Sequence, residues 1–267
     1  MRLTPICLLF FVFGLSSVYA QSTASEQVTK FTIAAPQLDT LKQIWVYLPK
    51  DYQNSKKHYP VVYMHDAQNL FDNETSYVGE WKVDEFLDSL DGKESIVIGI
   101  EHGNEKRIDE LTPYKHEEYG GGKGDAYIAF IKDTLKPYVD ISYRTKPEAS
   151  NTTIFGASLG GLISFYATIK YSNVFGKAGV FSASFWFSEK IYDLVESSMI
   201  PKSSKFFFLI GDKEGGTMVT DQERMVELLK SKGVKAKQME SYIIKDGEHN
   251  EKLWSTYFGK AYRWLHD

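Results

Sequence analysis

Short runs, several of them almost wholly apolar, alternate along this chain with longer stretches in which apolar residues recur every three or four positions. The runs cover 30–33, 43–48, 61–65, 96–101, 152–155, 178–182, 206–210 and 240–244. Continuous apolar runs of this length suit strands buried on both faces of a largely parallel sheet. Helical periodicity predicts helices over 81–90, 125–138, 159–170, 219–232 and 252–265, with Gly233 placed to cap the fourth. Strand and helix alternate without an internal repeat or linker. The pattern therefore predicts a single doubly wound α/β domain, a mostly parallel sheet of about eight strands flanked by helices. Residues 22–27 are polar and read as a frayed lead-in.

Ligands of such sheets bind beyond the carboxyl ends of the strands, so the residues that follow each run carry the candidate chemistry. The run at 152–155 ends in Gly156-Ala157-Ser158-Leu159-Gly160 and opens into a helical pattern. Gly-x-Ser-x-Gly between a strand and a helix forces a sharp turn with the serine at its apex, and the N–H of Leu159 then faces a developing oxyanion. After 206–210 come Asp212 and Glu214, and after 240–244 comes His249. A serine hydroxyl is a weak nucleophile until a neutral imidazole takes its proton, and the imidazolium needs a carboxylate. Ser158 and His249 fill two of these roles, and either Asp212 or Glu214 the third. His65-Asp66-Ala67-Gln68-Asn69 follows the third run and supplies the second oxyanion donor, for which the N–H of Ala67 is the candidate.

Other features change the picture less. A metal site at His65, Asp66 and His102 lacks helical His-x-x-x-His spacing, and none is expected. Gly120-Gly121-Gly122-Lys123-Gly124 is not followed by Ser or Thr and no apolar strand feeds it, so it reads as a mobile loop at the site mouth. Aromatic residues make up 15% of the chain, and Trp81, Trp186, Tyr119 and Tyr127 are candidates for a pocket lining, although aromatics are more often core.

Arg2, an apolar run over 6–15 and the small-residue site Val18-Tyr19-Ala20 predict a signal peptide over 1–20 and export to the periplasm or beyond the cell. The apolar run is shorter than the roughly 20 residues of a membrane-spanning helix, so no stable membrane anchor is expected. Cys7, the single cysteine, lies within this segment, so residues 21–267 have neither disulfide nor thiol ligand. Without Arg2 the balance is 30 basic against 35 acidic residues, a net −5 that argues against nucleic acid as a partner.

The segments Val46-Tyr47-Leu48-Pro49, Tyr59 to Asp72, Asn104 with Arg107 and Glu110-Leu111-Thr112-Pro113, Phe155 to Gly161, Gly211 to Gly215, and Gly247-Glu248-His249-Asn250 occur in an order that resembles the putative esterase family of α/β-hydrolases. That family includes feruloyl and acetyl-xylan esterases, esterase D and the enterochelin-type siderophore esterases. The resemblance implies an α/β-hydrolase fold, carboxylic-ester hydrolysis through an acyl-enzyme, and no cofactor. It favours Glu214 as the acid, three residues after Gly211, although relatives commonly carry Asp there. It also marks a departure, His65-Asp66 where many relatives have His-Gly. Asp66, Gln68, Arg107 and Trp186 are the candidate substrate-binding residues. The expected substrate is an acyl ester of a polysaccharide or a related small ester. A siderophore trilactone, met by Arg107 and Lys123, is the alternative. A homologue that binds carbohydrate without turnover is the reading from another class.

Overall fold

The computed structural model describes residues 22–267, so the segment expected to be a signal peptide, with Cys7, lies outside the described residues. The strands are β1 (Val28–Ala35), β2 (Thr40–Tyr47), β3 (Val61–His65), β4 (Ile96–Ile100), β5 (Thr152–Ala157), β6 (Lys177–Phe181), β7 (Lys205–Gly211) and β8 (Met239–Ile244). The helices are α1 (Val83–Asp88), α2 (Arg107–Leu111), α3 (Gly124–Phe130), α4 (Lys136–Ser142), α5 (Leu159–Lys170), α6 (Lys190–Ser197), α7 (Met218–Ser231) and α8 (Glu251–His266).

All eight expected strands form and join one sheet in the order β1-β2-β4-β3-β5-β6-β7-β8. The pairs β1–β2 and β2–β4 are antiparallel and the rest parallel. Strands β3, β4 and β5 are buried at every position, which is why they read as mainly apolar runs. Strand β8 lies at the edge and alternates between half-buried and exposed residues. One core lies between the sheet and α2 to α7. The other lies under α1 and α8, where Trp81, Phe155, Phe181 and Phe258 meet with ring centroids 4.9–6.3 Å apart.

The expected helix at 125–138 is interrupted by a π turn, Ile131–Leu135, just before Pro137. Proline has no N–H for the carbonyl four residues back, and the wider turn absorbs that loss. Helices α2 and α6 are too short for periodicity to reveal. Residues 22–25, expected to fray, instead bond to carboxylates of the body. The Ser22 hydroxyl donates to Asp72 at 2.6 Å, the Ser25 N–H to Asp84 at 2.7 Å and the Ser25 hydroxyl to Asp88 at 2.9 Å. No helix among the described residues is long and apolar enough to cross a membrane.

Candidate active site

Strand β5 ends at Ala157 and α5 starts at Leu159, leaving Ser158 alone to turn the chain, at φ 58° and ψ −123°. A residue with a Cβ occupies this left-handed φ at a steric cost, and sites of reaction are where such strain collects. The turn also needs close approach. A Cβ on Gly156 would lie 2.7 Å from the carbonyl carbon of Gly160, whereas one on Gly160 would meet nothing nearer than 3.4 Å. Among the two glycines of the motif, Gly156 is therefore the stricter requirement. The Ser158 N–H is tied to the Phe181 carbonyl at 3.0 Å, and its Oγ lies 3.5 Å from Ser184 Oγ. No hydrogen bond joins Ser158 to His249 among the described residues.

The loops after β7 and β8 meet backbone to backbone. A Cβ on Gly211 would fall 2.2 Å from the Gly247 carbonyl oxygen, and the Lys213 N–H donates to that oxygen at 2.9 Å. This seam sets the two candidate acids apart. Asp212 accepts the Asp246 N–H at 2.8 Å and so braces the histidine loop. Glu214, its side chain fully buried, lies with Oε2 2.8 Å from His249 Nδ1. Its Oε1 accepts the Gly211 N–H at 2.8 Å and the Ser182 hydroxyl at 2.5 Å. Ser182 in turn accepts the Trp254 indole N–H at 2.8 Å, and the same indole stands edge-on to the His249 ring. With Nδ1 facing Glu214, His249 has Nε2 free for a proton. Sequence reasoning missed Ser182 and Trp254. The signal that could have found Ser182 was its place directly after β6.

The N–H groups of Ala67 and Leu159 donate no hydrogen bond among the described residues. Leu159 is the first residue of α5, where N–H groups have no partner within the helix and the dipole favours negative charge. Asp66 precedes Ala67 at φ 56°, the conformation that glycine takes easily. Here its carboxylate is gripped by Arg107 in two parallel bonds, Nε to Oδ1 at 2.7 Å and the guanidinium terminus to Oδ2 at 2.8 Å. The guanidinium holds the Asp66 carboxyl below the usual range against the opposing effect of burial.

A cavity of about 620 Å³ opens on this side, lined by Asp66, Gln68, Arg107, Trp81, His249 and Trp254 among others. Glu251, at the start of α8, also faces it, and burial raises its carboxyl. Three sequence expectations change here. Trp186 and Tyr119 lie outside the cavity lining, in an exposed aromatic group with His116. Tyr127 is core, 1% exposed, its hydroxyl 2.8 Å from His65 Nδ1. The loop at Gly120 is fastened rather than loose, with Gly122 N–H bonded to Thr112 Oγ1 and Lys123 paired with Asp109. The candidate metal residues are also engaged elsewhere: His65 with Tyr127, Asp66 with Arg107, and His102 Nδ1 with the Asn104 N–H.

His65 packs behind the elbow, 2% exposed, with Nε2 unpartnered. Burial pushes its pKa down to about 4, so it is neutral at pH 7. A histidine depressed in the folded state contributes stability that is intact above about pH 6.5 and is lost as pH falls toward 4, because the unfolded chain binds the proton first. Between pH 7 and 5 this loss is roughly 2 kcal/mol. Urea unfolding of wild type should show that much more loss across the interval than His65→Gln. Parallel pH dependence would refute the buried neutral ring.

Comparison with known proteins adds to this geometry. Residues 35–265 match the family described as Putative esterase. The chain is 30% identical over 238 residues to the uncharacterized protein YbbA of Bacillus subtilis (strain 168), covering 84% of this chain and 92% of that one. It is 28% identical over 225 residues to an endo-1,4-beta-xylanase/feruloyl esterase of Xylanibacter ruminicola, covering 81% of this chain and 28% of that protein. The crystal structure of the BES protein from Bacillus cereus superposes with a TM-score of 0.74 at 18% identity, over 94% of this chain and 98% of that one.

Proposed function

Because the chain belongs to the Putative esterase family and is an ester hydrolase of α/β-hydrolase fold, we propose that it works through an acyl-enzyme on Ser158, acting after export on acyl esters of polysaccharides or related small esters. The observation that carries the mechanism is the bond from His249 Nδ1 to the buried Glu214 carboxylate, on loops beyond the same sheet edge as the strained Ser158. In the first step Ser158 Oγ attacks the acyl carbonyl while His249 Nε2 takes its proton. The N–H groups of Leu159 and Ala67 receive the charge on the carbonyl oxygen. His249 then protonates the departing alcohol. Water, deprotonated by the same nitrogen, releases the acid and restores Ser158.

The charge of the cavity supports a neutral ester over an anionic iron chelate. Arg107, the one lysine or arginine in its lining, is neutralised by Asp66, and Glu251 adds acidity. Lys123, the other cation expected to meet such a chelate, is paired with Asp109. The polar lining of Gln68, Asn69, Thr75 and Asn104 beside Trp81 and Trp254 suits a hydroxyl-rich group with an apolar face. A panel of acetylated xylan, feruloylated arabinoxylan oligomers and an iron-loaded catecholate trilactone tests this. The expected result is kcat/KM on a neutral ester at least tenfold above that on the trilactone. The reverse order would overturn the substrate class, and no turnover of any ester would favour a carbohydrate-binding homologue.

A further inference from the structure

On the face of the molecule under α1, four carboxylates gather without a countercharge. Asp72, Glu80 and Asp84 are 4%, 9% and 0% exposed, Glu85 is exposed, and none of the four forms an ion pair among the described residues. Buried carboxylates are ordinarily paired with a cation, bound to a metal or neutralised by a proton. One carboxylate oxygen from each of Glu80, Asp84 and Glu85 lies within 4.8 Å of the other two. Asp84 Oδ1 is wholly buried and has no hydrogen-bond partner, although Oδ2 of the same carboxylate accepts the Ser25 N–H. The hydroxyl of Thr23 stands 3.2 Å from both oxygens of Glu80 and its N–H binds Asp72 at 3.1 Å, adding a neutral oxygen to the group.

We propose that Glu80, Asp84 and Glu85 form a binding site for a hard divalent cation, Ca²⁺, with Thr23 and Asp72 at its edge. Ca²⁺ takes six to eight oxygens at about 2.3–2.6 Å, so two oxygens on opposite sides of it are separated by up to about 5 Å, the spread found here. Mg²⁺ fits less well, because it keeps most of its water and demands a regular octahedron. Lys82 and Lys30 are the nearby cations, and neither reaches ion-pair distance.

Such a site would bear on the cavity. Thr75, Tyr77 and Val78, which line one of its walls, lie on the chain between Asp72 and Glu80, and Trp81 follows directly. A cation held by both ends of that segment, and through Thr23 by the amino-terminal strap, would fix the wall against α1. Its binding does not depend on the esterase reading, and neither does its test.

The test is calorimetric titration and thermal unfolding of the full exported chain, stripped with EDTA, using CaCl₂ alone at pH 8. The expected result is one site per chain and a Tm rise of about 5–10 °C at a hundredfold excess over Kd. Glu85→Gln changes an exposed residue and should weaken Ca²⁺ at least tenfold. Asp84→Asn should abolish the rise. No heat and no Tm change up to about 10 mM CaCl₂ would overturn the proposal and leave a proton-sharing acid pair. An undiminished response in both variants would overturn it as well.

Discussion

Ser158→Ala is expected to lower kcat/KM for p-nitrophenyl acetate by at least about 10³-fold while leaving the thermal midpoint within a degree or two of wild type. The size follows from the way a nucleophile, base and acid act as a unit, since losing the nucleophile leaves His249 with no proton to take. What activity persists should reflect the N–H groups of Ala67 and Leu159 and substrate binding alone. The fold should tolerate the change because alanine at φ 58° bears the same Cβ strain as serine, and the bond from its N–H to the Phe181 carbonyl is unaltered. A fluorophosphonate probe should label wild type at this residue and leave the variant unlabelled. Equal hydrolysis by the two proteins would remove Ser158 as nucleophile, and labelling of the variant would point to another serine, with Ser184 the nearest hydroxyl.

The fold was legible because a strand buried on both faces is predominantly apolar, and β3, β5 and β7 are, with only His65, the Thr152-Thr153 pair and the half-buried Lys205 as polar residues. Strand ends then located the residues that meet, since parallel strands deliver their following loops to one edge. Sequence left Asp212 and Glu214 open because both follow β7, and only the backbone seam between Gly211 and Gly247 turns one toward Asp246 and the other toward His249. The support behind Glu214 was illegible for a different reason. Ser182 and Trp254 come from segments 72 residues apart and carry no local motif. Periodicity likewise could not separate Tyr127, a core residue, from a pocket aromatic, because the helix that carries it presents an apolar face either way. The strap at residues 22–25 looked frayed because its partners are carboxylates some 50 to 63 residues away.

Glu214→Gln should lower kcat/KM by about 10²–10⁴-fold, and Asp212→Asn by no more than a few-fold. The Glu214 carboxylate accepts from Gly211 N–H, Ser182 Oγ and His249 Nδ1 while its side chain is wholly buried, so both of its oxygens are engaged as acceptors. An amide has one oxygen and one NH₂. If the oxygen stays with Gly211 and Ser182, the NH₂ faces His249 Nδ1 and stabilises the tautomer whose proton sits on Nε2, the wrong one for accepting from Ser158; an orienting acid changed to an amide costs about 10⁴-fold by this route. If the amide flips, the NH₂ meets the Gly211 N–H instead, and the seam between the β7 and β8 loops is destabilised. Asparagine at 212 escapes both outcomes because its carbonyl oxygen can still accept the Asp246 N–H from an exposed position. Steady-state kinetics on one neutral ester, with the pH profile of each variant, separates the two acids: a large loss in Asp212→Asn with Glu214→Gln near wild type would transfer the orienting role to Asp212 and require the His249 loop to rearrange when substrate binds.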